Sequence, residues 1–188
     1  MMIKIYSAQI NDYTQADYTK MYGLLECDIR QKIDAKKCEK DRFASLLGYY
    51  LLYKGAQEIY GKTGFKIRFN EHGKPLCDFC FFSISHSENR VVCAFCDFPI
   101  GIDIQKIVDV EHREKYRFFN REECFYVNQK NGFSARNYIE IFTKKEAAVK
   151  MLGLQLSSCE SIDTFSEKFN FKTDFIDDFV CTVCTENV

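Results

Sequence analysis

The chain has 188 residues, of which 46% are hydrophobic and 28% are charged, and its 26 basic and 27 acidic side chains give a formal net charge of -1. This composition excludes the disordered and fibrous classes and is sufficient for a sizeable globular core. A near-neutral chain has no general attraction to nucleic acid or to an anionic membrane, so we expect neither as a partner.

The N-terminus, MMIKIYSAQI, carries a lysine in its first apolar stretch and lacks the hydrophobic region and cleavage site of a signal peptide. No run of 18 apolar residues occurs, so we expect no transmembrane helix. Ten cysteines in a chain without an export signal are expected to be reduced thiols. We therefore expect a cytoplasmic protein.

The apolar periodicity predicts alternating helices and strands in chain order. It predicts a strand near 2–9, helices over 13–25 and 35–60, and strands near 65–69, 79–85, 90–96 and 100–105. Asn120 and Glu123 have the spacing of a capping box, and a long helix over 135–152 is expected to end at Gly153. Two or three strands complete the chain. The predicted fold class is α+β.

A weak internal repeat links the two ends of the sequence. VVCAFC at 91–96 and FVCTVC at 179–184 share two cysteines and a valine. The repeat indicates two related halves, each ending in a similar strand.

The cysteine spacing also allows a zinc site. CDFC at 77–80 and CAFC at 93–96 are two C-x-x-C pairs. However, VVCAFC is strongly β-forming, and strand positions three apart face opposite sides of a sheet. The residues between the cysteines are Asp-Phe and Ala-Phe, which are not the usual turn residues of a zinc knuckle. The sequence favours packed strands over a zinc-stabilised interaction module, which remains an alternative.

The segment PIGIDIQ, residues 99–105, places an aspartate within a run of isoleucines. In a strand the isoleucines face one side, and Gly101, Asp103 and Gln105 face the other. A glycine beside a carboxylate leaves room for a bulky group to approach the backbone. A partner for Asp103 is therefore expected elsewhere in the chain.

A second carboxylate, Glu146, lies within an apolar stripe of the helix over 135–152. The stripe consists of Tyr138, Phe142, Val149 and Leu152. An exposed i,i+4 pair with Lys150 is one explanation for Glu146. The other is a cation shared with Asp103, because two carboxylates in apolar surroundings are unfavourable without one.

A hard divalent ion such as Mg²⁺ takes few protein carboxylates and completes its octahedron with water and substrate phosphate oxygens. The pair Asp103 and Glu146 thus implies a phosphate-bearing ligand with basic neighbours. The candidates are Lys74, His86, Arg42, Lys32 and Lys150.

Together, these segments resemble the 4'-phosphopantetheinyl transferases of the surfactin-synthetase-activating (Sfp) type. The resemblance is carried by GKP at 73–75, FSISHS at 82–87, VVCAFCDFPIGIDIQ at 91–105, RFFNREE at 117–123 and FTKKEAAVK at 142–150. Their order and spacing agree over about residues 70–153, and DRFASLLG at 41–48 is weakly similar.

The resemblance implies two pseudo-twofold-related α+β halves, 1–98 and 99–188, with the active site in the cleft between them and the metal carboxylates on the second half. It implies transfer of phosphopantetheine from coenzyme A to a serine of an apo acyl or peptidyl carrier protein, with release of adenosine 3',5'-bisphosphate. The cofactor would be Mg²⁺, with Mn²⁺ as an alternative. The internal duplication would make a monomer sufficient.

The resemblance also assigns roles to residues of this chain. The catalytic residues would be Glu146, Lys150 and Asp103, with Glu146 as the base for the serine hydroxyl. The metal ligands would be Asp103, Glu146 and Gln105. The coenzyme A contacts would be Lys74, Pro75, Ser85, His86, Arg42 and Lys32.

The chain departs from the family pattern at three positions. Gln105 stands where many members have glutamate, which removes one negative charge from the metal site. Ala44 replaces a frequent basic residue, and Phe142 a frequent tryptophan. The loss of the carboxylate leaves open a non-catalytic relative that binds coenzyme A or a carrier protein. Aromatic residues at 118, 119, 125 and 126 are candidates for a carrier-docking surface.

Overall fold

The computed structural model describes residues 3–108, 116–128 and 132–187. The described strands are β1 (Lys4–Gln9), β2 (Arg68–Phe69), β3 (Pro75–Leu76), β4 (Phe81–Ser87), β5 (Arg90–Cys96), β6 (Ile100–Lys106), β7 (Phe169–Ile176) and β8 (Phe179–Glu186). The described α-helices are α1 (Gln15–Leu24), α2 (Cys27–Asp34), α3 (Glu39–Tyr60), α4 (Arg121–Val127) and α5 (Ala135–Leu152). Short 3-10 turns occupy Ile10–Asp12 and Leu156–Ser161.

The α+β fold class is confirmed. Helix α2 and strand β3 were not predicted, and the strand expected at 65–69 is only the two-residue β2. Helix α2 has only eight residues and buries a single i,i+4 pair, Ile29 and Ile33, so its apolar pattern is too short to indicate a helix from sequence. The extended backbone of Cys38 delays the start of α3 to Glu39.

Two three-stranded antiparallel sheets form the framework. Their orders are β1-β5-β4 and β6-β8-β7. The repeated cysteine segments are β5 and β8, which are the middle strands of the two sheets. Helix α3 packs on the first sheet, and α5 packs on β6 and β8 of the second. The pseudo-twofold relation and the division at residue 98 stay predictions.

Alternate serines of β4 join the two sheets. The hydroxyl oxygens of Ser83, Ser85 and Ser87 accept hydrogen bonds from the backbone N–H groups of Ile102, Ile104 and Lys106, at 3.1, 3.3 and 3.1 Å. We call this set the serine ladder. It places the free edge of β6 directly against β4 and so fixes the position of Asp103.

Helix α5 lies very close to β6, and Gly101 makes this approach possible. A Cβ atom at Gly101 would overlap the backbone oxygen of Ala147 and lie 2.6 Å from the nitrogen of Met151. The bulky group expected beside this glycine is therefore the backbone of α5. This contact brings Glu146 and Lys150 to the strand that carries Asp103.

Interactions at the end and middle of α5 hold the helix in place. Gly153 ends it with a left-handed backbone, φ +70°. The amide of Asn70 donates a hydrogen bond to the Gly153 carbonyl at 2.8 Å. A fully buried ion pair joins Lys145 to Glu123 of α4 at 2.8 Å. Within the described residues, no helix is both long and apolar enough to span a membrane.

Candidate active site

Asp103 is a fully buried carboxylate in the middle of β6. Its Oδ1 accepts a hydrogen bond from the Ser85 hydroxyl at 2.6 Å and one from Lys150 Nζ at 2.6 Å. Its Oδ2 is buried and has no hydrogen-bond partner among the described residues. Two hydrogen bonds thus hold Oδ1 in place, whereas Oδ2 can still accept a hydrogen bond or bind a cation.

Glu146 and Lys150 reach the same point from α5. Lys150 Nζ lies 4.0 Å from Glu146 Oε2 and 2.9 Å from the Ser85 hydroxyl. Only 12% of the Glu146 side chain is exposed, so the interpretation as a solvated surface pair does not hold. Burial and, to a smaller extent, the nearby charge of Asp103 raise the pKa of Glu146 to about 7, against the opposing effect of Lys150. The lysine lies between two carboxylates that repel each other.

The donor set fits a divalent cation. Asp103 and Glu146 supply hard oxygen ligands, and Asp103 Oδ2 is a buried acceptor without a partner among the described residues. Gln105 is half-buried two positions further along β6, and its Oε1 accepts a hydrogen bond from Ser87 at 3.3 Å. A metal with few protein ligands and several waters, such as Mg²⁺, suits this arrangement better than a closed structural site.

A cavity of about 320 Å³ opens beside this cluster, and Lys150 belongs to both. Three of the predicted ligand-binding residues, Lys74, Pro75 and His86, also line it. Its other lining residues are Ser45, Tyr49, His72, Gly73, Phe82, Ser83, Ile84, Val149, Gly153, Leu154, Gln155 and Leu156. The structure therefore places a basic, partly apolar cavity next to the paired carboxylates.

Lys74 is held in the cavity wall by the hairpin of β2 and β3. Its Nζ donates a hydrogen bond to the Met151 carbonyl at 3.2 Å, and its backbone N–H donates to Asn70 Oδ1 at 2.8 Å. Burial lowers the pKa of Lys74 to about 8. A bound anion would stabilise the charged form against the effect of burial, so this lysine is suited to an anionic ligand.

His86 lies in β4 on the other side of the cavity. Burial lowers the pKa of His86 below its usual value, and the charges of Lys36 and Lys150 lower it further. The imidazole is therefore largely neutral at neutral pH. It can donate one N–H hydrogen bond to a phosphate oxygen, but it supplies little positive charge.

Three other predicted ligand residues have different surroundings. Ser85 is buried, and its hydroxyl donates a hydrogen bond to Asp103. The same hydroxyl oxygen accepts hydrogen bonds from Lys150 Nζ and from the backbone N–H of Ile104. Lys32 Nζ lies 3.9 Å from the centre of the Phe69 ring. Arg42 lines another cavity and donates to the Lys36 carbonyl at 3.0 Å. Direct contacts of these three with coenzyme A stay predictions.

The aromatic residues proposed as a docking surface have unequal exposure. Phe125 is 77% exposed and lines an open groove with Tyr126 and Phe165. Phe119 instead stacks on Tyr138 at 4.9 Å between ring centres. Phe118 is half-buried against α5 residues. Phe125 is thus the most accessible member of the set.

The cysteine pairs do not assemble a metal site within residues 3–108, 116–128 and 132–187. No group of three or more His, Cys, Asp or Glu side chains there is arranged to hold a metal ion. Cys93 and Cys96 are buried in β5, as the strand interpretation predicted.

The sequence did not reveal two features that position the site. These are the serine ladder and the buried pair of Lys145 and Glu123. The serines at every second position of SISHS indicate a row of hydroxyl groups on one face of a strand. The sequence does not show that these hydroxyls accept hydrogen bonds from β6, because that depends on how the two strands pack. The charge pair depends on tertiary packing alone.

Comparison with known proteins identifies the family. The model of the 4'-phosphopantetheinyl transferase superfamily matches residues 99–184, the segment that contains Asp103, Glu146 and Lys150. The 4'-phosphopantetheinyl transferase Sfp of Bacillus subtilis (strain 168) is 30% identical over 176 residues, which are 89% of this chain and 77% of that protein. The chain belongs to the 4'-phosphopantetheinyl transferase superfamily.

Other relatives agree with this assignment to the transferase superfamily. The 4'-phosphopantetheinyl transferase gsp of Aneurinibacillus migulanus is 36% identical over 118 residues, which are 61% of this chain. That match spans only half, 50%, of the gsp protein. The transferase ffp of Bacillus subtilis is 29% identical over 175 residues, 89% of this chain and 77% of that protein.

Proposed function

We propose that this protein transfers the 4'-phosphopantetheine group of coenzyme A to a serine of an apo carrier protein and releases adenosine 3',5'-bisphosphate. The observation that carries the proposal is the buried cluster of Asp103, Glu146 and Lys150 at the edge of a basic cavity, in a chain of this family. The two carboxylates and the lysine come from one chain, which supports a monomer as the active unit. All ten cysteines are free, which supports a reducing compartment such as the cytoplasm.

Coenzyme A would bind in the 320 Å³ cavity. Lys74 and Lys150 would neutralise phosphate charge, and His86 would donate a hydrogen bond to a phosphate oxygen. Phe82, Ile84, Leu154 and Leu156 give the cavity an apolar wall. Since the lowered pKa of Lys74 reflects burial without a nearby anion, a phosphate group is a suitable partner for it.

Asp103, Glu146 and Gln105 would hold Mg²⁺, with Mn²⁺ as an alternative. When bound, such an ion neutralises developing charge on the phosphate oxygens. Ser85 keeps Asp103 Oδ1 oriented, so that Oδ2 is free to act as a ligand. Lys150, whose ammonium group pairs with Asp103 at 2.6 Å and lies 4.0 Å from Glu146, would move towards the diphosphate.

Glu146 would accept the proton of the carrier serine, directly or through water. The serine oxygen then forms a bond to the β-phosphorus of coenzyme A, and the bond from that phosphorus to the bridging oxygen breaks. The leaving group is adenosine 3',5'-bisphosphate. A serine hydroxyl is a poor nucleophile until a group accepts its proton, and a glutamate beside the reacting phosphate can do so.

The test of this proposal is intact-mass spectrometry of several apo carrier proteins incubated with the protein, coenzyme A and Mg²⁺. We expect a mass gain of one phosphopantetheine per carrier and one adenosine 3',5'-bisphosphate for each modified carrier. A set of acyl and peptidyl carriers would also rank the partners. Tight binding of coenzyme A without a mass gain on any carrier would contradict the proposal and support the non-catalytic relative.

A further inference from the structure

The segment CDFC, residues 77–80, brings two cysteine thiols together between β3 and β4. Cys77 Sγ and Cys80 Sγ lie 3.5 Å apart, and Cys77 Sγ is 3.4 Å from the Cys80 carbonyl oxygen. Both residues are half-buried. Two sulfurs this close, on residues three apart in one turn, need only a small movement to reach bonding distance.

The two thiols of this turn are chemically different. The hydrogen bond between the two thiols and backbone hydrogen bonds from Cys80 and Phe79 lower the pKa of Cys77 to about 6, against the opposing effect of burial. The same contact raises the pKa of Cys80 above its usual range. Cys77 is thus the better nucleophile at neutral pH, and Cys80 retains its proton.

Other cysteines of this region lack this combination of properties. Cys93 and Cys96 are fully buried in β5, and burial raises the pKa of Cys93 well above its usual value. A thiolate is the reactive form of cysteine, so such residues are inert. Among the described residues, no third ligand completes a metal site at the CDFC turn.

We propose that Cys77 and Cys80 are a thiol–disulfide exchange site whose co-reactant is a low-molecular-weight disulfide. The Cys77 thiolate attacks one sulfur of the disulfide RSSR, forms a mixed disulfide with RS, and releases the first RS⁻. Cys80, losing its proton, then attacks the Cys77 sulfur and releases the second RS⁻. The two protein thiols are oxidised to one disulfide, and RSSR is reduced to two RSH, which take up the two protons.

This site lies apart from the transferase chemistry but is connected to it along the chain. Lys74 and Pro75 precede the turn and line the 320 Å³ cavity, and Ser83 and Ser85 of the serine ladder follow it. No catalytic or metal-binding role proposed above uses Cys77 or Cys80. A failure of the proposed transferase function would therefore not affect the proposed exchange site, and a failure of the exchange site would not affect the transferase function.

The experiment exposes the full chain to oxidised glutathione, quenches with acid, alkylates the remaining thiols and maps the peptides by mass spectrometry. The variants are Cys77→Ser and Cys80→Ser, and Cys27→Ser is the matched control on an exposed cysteine of α2. Wild type and the control should lose two hydrogen masses and yield a peptide with a Cys77–Cys80 disulfide. Cys80→Ser should accumulate glutathione on Cys77, because the second step is blocked.

Cys77→Ser should form no disulfide within the turn, because it lacks the sulfur that attacks RSSR first. Circular dichroism of each variant establishes that it is folded. The wild-type map alone can overturn the proposal. If Cys77 and Cys80 are alkylated in full after oxidation, or if glutathione remains on Cys77 without an intramolecular disulfide, the site does not exist.

Discussion

Lys150 Nζ lies 2.6 Å from Asp103 Oδ1, so a residue of α5 neutralises a carboxylate that is fully buried in β6. The same ammonium group is 4.0 Å from Glu146 Oε2. In the absence of a metal, Lys150 thus supplies the positive charge that two buried carboxylates require. The stability of the junction between β6 and α5 is therefore linked to the chemistry of the site.

Removing this lysine should make stability dependent on a divalent cation. Lys150→Met leaves Asp103 buried without a counter-charge and should cost about 3 kcal/mol in the free energy of unfolding in chelator. Mg²⁺ or Mn²⁺ should restore part of that loss. Urea denaturation of both proteins with and without metal measures the effect. Equal losses with and without metal would show that the carboxylates do not share a cation.

The serine ladder offers a matched pair of substitutions. Ser83→Ala and Ser85→Ala each leave one backbone N–H of β6 without its acceptor, so each should cost about 1 to 2 kcal/mol in unfolding free energy. Only Ser85→Ala also removes one of the two hydrogen bonds that Asp103 Oδ1 accepts. We expect Ser85→Ala alone to weaken Mn²⁺ binding, measured by electron paramagnetic resonance. Similar Mn²⁺ affinity in the two variants would refute a positioning role for Ser85.

The close approach of α5 to β6 can be tested at Gly101. Gly101→Ala places a methyl group against the backbone of α5, so it should cost about 3 kcal/mol or more and separate Glu146 from Asp103. Gly64→Ala is the control, because a Cβ atom there meets no heavy atom within 4 Å. Thermal unfolding of the two variants compares them. A Gly101→Ala protein as stable as the control would show that the helix is free to shift.

The raised pKa of Glu146 predicts how stability changes with pH in chelator. Since its pKa is about 7 in the folded protein and 4.5 ordinarily, the folded state binds more protons between these values. Stability contributed by the protonated carboxyl is present below about pH 4.5 and is lost as pH rises to about 7. The stability of Glu146→Gln relative to wild type should therefore rise across this window and then level off.

Glu122→Gln is the control for this pH series, because Glu122 is exposed on α4. Denaturant unfolding at several pH values from 4 to 8 gives the difference in free energy for each variant. The control difference should stay constant. If the Glu146→Gln difference is also constant, the carboxyl titrates alike in the folded and unfolded states.

Restoring a carboxylate at position 105 should strengthen the metal site. Gln105 can offer a neutral amide oxygen, whereas Gln105→Glu adds a negative charge two positions along β6 from Asp103. We expect the variant to reach half-maximal transfer at a lower Mg²⁺ concentration than wild type. A Mg²⁺ titration at saturating coenzyme A measures this. The same or a higher requirement in the variant would contradict a role for position 105 near the metal.

The sequence predicted the elements whose pattern is local. The strands β4, β5 and β6 and the helix α5 have strong periodicity, and the capping box of Asn120 and Glu123 is present in the structure. The start of α3 and the short α2 could not be read in this way. The extended backbone of Leu25 separates α2 from α1, and that of Cys38 sets the start of α3. Neither is indicated by the pattern of apolar residues.

For the candidate site, the sequence singled out Asp103, Glu146 and Lys150, and the structure brings these three together. The sequence could not show that Lys150 neutralises Asp103, because that contact spans 47 positions and depends on how α5 packs on β6. It also could not show that Ser85 lies beneath the carboxylate. Packing between the sheets determines such contacts, and no local pattern encodes it.

The most direct test of the central claim is the rate of phosphopantetheine transfer by wild type and Glu146→Gln at saturating coenzyme A and Mg²⁺. Glu167→Gln serves as the control, because Glu167 is exposed and lines neither the cavity nor the groove of Phe125, and coenzyme A affinity is measured for all three proteins. We predict that Glu146→Gln loses at least about 100-fold in rate, as expected for removal of a general base, while it still binds coenzyme A. A Glu146→Gln protein that modifies the carrier as fast as wild type would contradict the assignment of this cluster as the active site.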